Sequence, residues 1–492
     1  MSRTTRRLAA LLCLVFLASF SAWACTTILV GKDVSSTGRV IVAHNEDDAG
    51  NITVYHYYVP PRDWEDDSYL PADFFRADIP QVSHTFGYYW SEVKDWGSGV
   101  SYADSFYNDN GVYIASNSCA ESKEDEWDFS TVTEGGIEYN LRRIVAERAT
   151  SARDGVEIII SLIEAWGYGP SGRAYTVADR DEAWLVQIVH GRQYIAIRCP
   201  DDQVVVIPNH YTAHNPEDYG DVLYPETLIS FAKERGYYEE IDGRFDFAKT
   251  YQQSYSYMAE RNTLRNSHAI TMLSGTRFTA SVFPFSFTPD RKIGLDDLTE
   301  VLSSHYEGTE DYPDLGGAPH NTATRTICYS TTIESTVCVF GETPILGTLW
   351  TAFGKPCIMP YIPLHPLAGV SWDLGHDDPC RAMDNHLNYE LEDEDDVGTG
   401  LWRTMNEWQE IIDDEYRLYI DRLSAVNADA RSTETGLNDA AVAKAAELLS
   451  EGDEKSARIV LAIADGRALE RAAGRVFNVI VDVQRELSKA SH

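Results

Sequence analysis

The chain has 492 residues, 43% of them hydrophobic and 11% aromatic, with a formal net charge of −36; such a composition supports a sizeable packed core and argues against intrinsic disorder. So acidic a protein repels nucleic acid and anionic lipid surfaces, which excludes both as partners. The charge is spread thinly, and its one dense run, Glu392 to Asp396, reads as a solvated linker, with calcium binding as the alternative.

In chain order, Arg3, Arg6 and Arg7 precede an apolar stretch from Leu8 to Phe20, the pattern of a secretory signal peptide. The stretch falls short of the ~20 residues needed to cross a bilayer, and no later run is long enough. Ala22-Trp23-Ala24 fits signal-peptidase cleavage after Ala24, so Cys25 is expected as the first residue of an exported, periplasmic or extracellular protein. A lipobox also ends in cysteine, and a non-catalytic envelope lipoprotein acylated at Cys25 is the competing reading. Ala22 and Trp23 fit that motif poorly, and a strand begins where lipoproteins place a tether.

"CTTILVG", a polar turn and "RVIVAHNED" predict a β-hairpin whose second strand ends at His44 to Asp47. A second hairpin is signalled by "SFYNDNGVYIASNSC", where Asn110-Gly111 supplies the positive φ of a tight turn. Apolar residues at helical spacing (Leu141, Ile144, Val145, then Val156, Ile159, Ile160, Ile163) predict two helices divided near Thr150 to Arg153. Four β-rich segments follow, "RAYTVAD", "EAWLVQIVH", "RQYIAIRC" and "QVVVIPNH". "TRTICYSTTIESTVCVF" and "LWTAFGKPCIMPYIPLHPLAG" add further strand. A boundary is placed near residue 396, giving a leader over 1–24, a catalytic domain over 25–396 and a helical region over 397–492. There Leu401, Met405, Trp408, Ile412, Tyr416, Tyr419 and Leu423 form one amphipathic stripe.

With Cys13 in the leader and Cys25 set aside, Cys119, Cys199, Cys328, Cys338, Cys357 and Cys380 remain, enough for up to three disulfides. Cys328/Cys338 and Cys357/Cys380 are the first pairs expected, from proximity in sequence. The absence of C-x-x-C argues against a zinc ribbon or a thioredoxin-like site, and there is no G-x-S-x-G, H-E-x-x-H or P-loop. "NHYTAHN" sets His210 and His214 four apart without a third ligand, and "NDNG" is a turn rather than a calcium loop. Cys25 offers more: once freed, it carries both a thiol and an α-amine whose pKa, about 7.7–8.0, suits a general base. A buried carboxylate such as Asp47 could hold that amine.

These segments resemble a known group, the N-terminal-nucleophile (Ntn) cysteine dipeptidases of the dipeptidase A and secernin type, relatives of penicillin V acylases and bile salt hydrolases. The likeness runs from "CTTILVG" and "VIVAHNEDD" through "NDNGVYIASNS", "GIEYNLRRIVAERATSARDGVEIIISLIEAWGYG", "EAWLVQIVHGRQYIAIRCPDDQVVVIPN" and "TRTICYSTTIESTV" to "GKPCIMPYIPL". It implies an α+β fold, a four-layer αββα sandwich followed by a C-terminal helical extension. It implies hydrolysis of a small peptide amide without metal or cofactor, or else another Ntn amidase or acyltransferase reaction on an N-acyl amide. Homo-oligomers are compatible with it. Carried over by position, Cys25 is the nucleophile, Asp47 the acid that contacts it, Asn117 and Asn209 oxyanion residues, and Arg265 the nearby arginine, with Arg261 as alternative. His44 stands where these families usually place an arginine beside the thiol, so its charge there depends on pH.

Overall fold

In the computed structural model of the chain the described residues are 25–70, 77–97, 100–118, 122–124, 128–138, 140–313, 317–320, 322–371, 374–375, 378–386 and 400–490. The predicted leader, Cys119, the acidic run and the boundary near 396 lie outside them.

β1 (Thr26–Val30) and β2 (Ile41–Asp47) form the expected hairpin, in a register that sets Thr27 opposite His44 and Thr26 opposite Asn45. The chain then crosses to a second sheet through β3 (Ile52–Val59), β4 (Tyr88–Asp95), β5 (Val100–Asn108) and β6 (Tyr113–Ser118). The β5–β6 turn is the one expected at Asn110-Gly111: Gly111 has φ +78°, and Asn108 Oδ1 accepts from the backbone N–H groups of Asn110 and Val112. Two helices follow, α1 (Asn140–Arg148) and α2 (Ala152–Trp166), divided where predicted because Ser151 caps α2 by accepting from Asp154 N–H. Next come β7 (Tyr168–Ala178), β8 (Ala183–Gly191) and β9 (Tyr194–Arg198). β10 (Val204–Ile207) returns to pair with β1, and β11 (Val222–Leu223) borders β9. After α3 (Glu260–Ser274) and α4 (Leu295–Leu302), β12 (Thr332–Val339), β13 (Thr348–Ala352) and β14 (Ile362–Leu364) complete the first sheet.

The result is a six-stranded sheet, β10-β1-β2-β12-β13-β14, and an eight-stranded sheet, β11-β9-β8-β7-β6-β5-β4-β3, each pairing antiparallel. Period-2 alternation then builds the layers. Leu29, Val42, Val205 and Cys338 pack against Tyr113, Ala174, Leu185 and Ile197 of the other sheet, forming the central core. Their neighbours Ile28, Ala43, Val206 and Val337 point outward to Ala269 and Leu273 of α3 and Leu298 and Val301 of α4. On the far side, Ile114, Val177 and Val186 meet Leu141, Ile144, Val156 and Ile159 of α1 and α2. Two helical layers thus enclose two sheets, the αββα sandwich implied by the resemblance, with helices after it.

Those helices are α5 (Leu401–Asp414), α6 (Tyr416–Ser450) and α7 (Glu454–Ala490). The predicted single stripe is broken at Glu415, whose φ −124°, ψ 35° is not helical. Met405, Ile412, Tyr416, Tyr419 and Leu423 are nevertheless buried on one core. The helices seat on the β13–β14 edge: Gln409 Oε1 accepts from Lys355 N–H at 2.5 Å, and Asp465 holds the His365 ring at 2.6 Å. Among the described residues no helix is long and apolar enough to cross a membrane.

Two expectations are corrected. The first half of "TRTICYSTTIESTVCVF" is loop, because Arg325 turns inward to an ion pair and strand pairing starts only at Thr332. The cysteine pairs chosen by proximity are absent, since Cys328, Cys338, Cys357 and Cys380 are all free. Cys338 faces the central core from β12, while the Cys328 sulfur lies 3.6 Å from that of Cys357.

Candidate active site

Cys25 immediately precedes β1 and is 97% buried, with a relative exposure of 3%. In the full chain its nitrogen is a peptide amide to Ala24. Residues on β1 and β2 alternate between the two faces, and this places the candidate groups in two sets. His44 and Glu46 share the inner face with Thr27, whereas Asn45 and Asp47 share the outer face with Thr26.

On the inner face the Cys25 thiol donates to Glu46 Oε2 at 3.4 Å. A donor atom from each of Cys25, His44 and Glu46 lies within 4.8 Å of the others. The hydrogen bonds fix the protonation of His44. Asn117 Nδ2 donates to Ile207 O at 3.2 Å, so Asn117 Oδ1 faces Thr27 and accepts from its hydroxyl at 2.6 Å. Thr27 Oγ1 is thereby left to accept from His44 Nδ1–H, 2.6 Å away. The other nitrogen, Nε2, meets two carboxylates, Glu46 at 3.1 Å and Asp104 of β5 at 3.0 Å. Both ring nitrogens are donors, so His44 is an imidazolium. Burial opposes that charge, but Asp104 and then Glu46 outweigh it and push the His44 pKa up to about 10. The pH dependence expected for this histidine is therefore moved well above neutrality.

On the outer face Asp47 is fully buried against Arg325 Nη2, 2.5 Å from Oδ2, and the Thr332 hydroxyl, 2.5 Å from Oδ1. Burial still leaves its carboxyl above the ordinary range despite Arg325 and Thr332. Asn45 Nδ2 donates to Leu302 O at 3.0 Å and Ile327 O at 3.1 Å, tying β2 to the end of α4 and to the loop that carries Arg325. Of the two candidate arginines, Arg261 is exposed, whereas Arg265 of α3 is buried and its Nη1 donates to Cys25 O at 2.8 Å and Thr26 Oγ1 at 3.2 Å. Its Nη2 donates to Asn209 Oδ1 and Asn262 Oδ1, both at 2.8 Å. Asn209 Nδ2 in turn donates to Ser118 O at 2.8 Å. Each asparagine carboxamide thus has one N–H engaged in this arrangement and a second N–H beyond it.

The structure gathers Cys25, His44, Asp47, Asn117, Asn209 and Arg265 around the end of the β1–β2 hairpin. The Asp47 side chain is turned to Arg325 rather than to the sulfur, and the Asp47 backbone favours the ionised thiol while its carboxylate opposes it. In the full chain burial, then the carboxylates of Glu46 and Asp47, push the Cys25 thiol well above its usual range. The sequence reading passed over Glu46, Asp104 and Arg325. Glu46 was within reach, since alternation along β2 puts it on the face of His44. Arg325 is the sole base in "TRTICYSTTIESTV", but nothing local indicates that it crosses to Asp47.

His210 and His214 do not converge on a ligand site. His214 is held by Asp246 at 2.5 Å and Phe283 O at 2.7 Å, while His210 Nε2 accepts from Asn266 at 3.3 Å.

A protein-family model described as peptidase family C69 matches residues 24–389. A probable dipeptidase of Salmonella dublin is 28% identical over 367 residues, covering 70% of this chain and 81% of that protein. A probable dipeptidase of Latilactobacillus sakei is 24% identical over 351 residues, covering 69% and 73%. Among solved structures, a variant of the conjugated bile acid hydrolase of Clostridium perfringens is 10% identical with a TM-score of 0.28, covering 67% of this chain and 89% of that one. The layer architecture rests on the strand pairing and packing above rather than on that overlap.

Proposed function

The chain belongs to peptidase family C69, and from that premise we propose that it is an exported cysteine dipeptidase whose nucleophile, Cys25, becomes the mature N-terminus when the bond after Ala24 is cut. The observation that supports this most is the convergence on one residue: the Cys25 thiol meets Glu46 Oε2 beside His44, and Arg265 links the Cys25 carbonyl to Asn209.

The charges support a role for processing. His44 is shared by Glu46 and Asp104, and Arg325 pairs with Asp47, so ionising the thiol of the unprocessed chain would set a further buried anion beside the carboxylates of Glu46 and Asp47. Cleavage adds an α-amine beside the sulfur. That amine takes the thiol proton, and the ammonium balances the thiolate. The thiolate then attacks the peptide carbonyl, and the free N–H of Asn209 with a backbone N–H near Asn117 stabilises the oxyanion. As the tetrahedral intermediate collapses, the C–N bond breaks, the ammonium protonates the leaving amine and a thioester remains. Water, deprotonated by the same amine, attacks the thioester; the C–S bond breaks, releasing the second amino acid and restoring the thiol. His44 and Asp104 hold Thr27 and Glu46 in place around this chemistry.

The test is N-terminal sequencing of the exported protein together with dipeptide hydrolysis by wild type and Cys25→Ala. The expected results are a mature chain beginning at Cys25 and a fall of about 10⁴-fold or more in kcat/KM for the variant. A different mature N-terminus, or unimpaired hydrolysis by Cys25→Ala, would sink the reading. Running N-acyl amino acids beside dipeptides separates peptide hydrolysis from other amidase reactions of the same nucleophile.

A further inference from the structure

A second polar cluster lies apart from Cys25, where the segment after α4 meets the β13–β14 connection. His305, His320 and Cys328 come from the first and Cys357 from the second; the two histidines and Cys328 are buried and Cys357 is partly so. Their donor atoms form a closed figure. His305 Nε2 and His320 Nε2 are 3.0 Å apart, Cys328 Sγ and Cys357 Sγ 3.6 Å. His320 Nε2 is 3.2 Å from Cys357 Sγ and 3.7 Å from Cys328 Sγ, and all four atoms lie within 4.8 Å of one another.

Tetrahedral zinc with Zn–S of about 2.3 Å and Zn–N of about 2.0–2.1 Å requires edges of about 3.8 Å between sulfurs, 3.3 Å between nitrogens and 3.6 Å between nitrogen and sulfur. The four edges above match these to within about 0.4 Å, and the two from His305 Nε2 to the sulfurs are within 4.8 Å. An independent observation comes from the opposite side of each ring. His305 Nδ1 lies 2.7 Å from Glu307 Oε1, and His320 Nδ1 lies 2.6 Å from Asp413 Oδ1 of α5. Each carboxylate takes an Nδ1–H, which directs the lone pairs of both Nε2 atoms at each other across 3.0 Å. Two lone pairs so placed repel unless a proton or a metal cation sits between them. Carboxylate–histidine pairs of this kind orient metal-bound imidazoles.

We propose that His305, His320, Cys328 and Cys357 bind one zinc-type divalent cation in a closed, structural His2Cys2 site. Two Zn–S and two Zn–N bonds form, and the two thiol protons pass to solvent, leaving a site of zero net charge. With all four positions taken by protein there is no place for a reacting water. The cation clamps the β13–β14 connection and, through Asp413, the first C-terminal helix to the segment 303–331. That segment also carries Arg325, three residues before Cys328, whose guanidinium is the partner of Asp47. The site therefore positions the active-site arginine without touching substrate.

The experiment uses the full chain in a Cys25→Ala background, which removes the thiol from the Cys25, His44, Glu46 group and takes hydrolysis out of the readout. Protein purified without chelator or nickel resin is measured for metal and free thiols, then exchanged into cobalt(II). The expected result is one zinc per chain. In the cobalt form a thiolate-to-metal charge-transfer band and tetrahedral d–d bands are expected, both lost in Cys328→Ser and in Cys357→Ser but kept in Cys199→Ser. Sub-stoichiometric metal at saturating zinc with all thiols reduced would overturn the proposal. So would a Cys328–Cys357 disulfide in the exported protein, or unchanged cobalt spectra in the cysteine variants.

Discussion

Two buried groups of cysteine, histidine and carboxylate sit in this protein, and they are built by opposite means. Around Cys25 the side chains stand on paired strands, so their spacing is set by backbone hydrogen bonds and period-2 alternation. Around Cys328 they hang on loops, where the Cys328 N–H to Ser304 O bond joins two of the carrying segments without any strand pairing. The electrostatics are also opposed. Burial and then carboxylates push the Cys25 thiol up, whereas at Cys328, before any cation binds, burial is outweighed by the Cys357 hydrogen bond, by the charge of protonated His305 and by hydrogen bonds from the histidines, and the thiol is pulled well below its usual range. The more readily ionised sulfur is thus not the one proposed to react. A thiolate fixed among three other donors has no approach for a carbonyl, whereas Cys25 would gain its base from the single cleavage proposed above.

The largest effect should come from the residue that joins the two groups. Arg325→Met leaves Asp47 buried and unpaired, which costs about 3–5 kcal/mol, and it loosens the segment bearing Cys328. Urea denaturation should show this loss, and a cost under about 1 kcal/mol would mean that the two groups are independent. A smaller, pH-dependent effect belongs to the strand-built group alone. The folded pKa of His44 is about 10 against 6.5 in a free chain, so its stabilisation is complete below about 6.5 and is lost as pH rises through about 10. His44→Arg carries a permanent charge and should flatten that slope, read as the difference in urea midpoint between pH 7 and pH 9.5. The smallest effect is the control. Ser151→Ala removes the cap of α2, far from either group, and should cost about 1 kcal/mol while leaving the pH slope intact.

What could be read from the sequence follows the same division. The β1–β2 hairpin, the Asn110-Gly111 turn, the two helices split at Ser151 and the positions of Cys25, His44 and Asp47 are written in local periodicity and turn chemistry. The partners are not. Arg325 meets Asp47 across 278 positions and Asp104 meets His44 across the gap between two sheets, and neither contact leaves a spacing to recognise. Cysteines were paired by nearness along the chain, yet the sulfurs of Cys328 and Cys357 approach because β12 and β13 run antiparallel and return the chain to the same end of the sheet. The helical stripe from Leu401 to Leu423 gave the buried face correctly and missed the break at Glu415, since apolar spacing constrains which side of a helix is covered but not whether the axis continues.

Thr27 has a mechanical meaning beyond its place near the sulfur. Two sheets held face to face by aliphatic contacts alone resist separation well and sliding poorly, because one methyl exchanges readily for the next. The Thr27 hydroxyl on Asn117, and the Asn117 amide on Ile207, cross that plane as directional bonds. They act as a dowel against shear, so the first residues of β1 and the asparagine at the end of β6 keep one offset as the layers breathe.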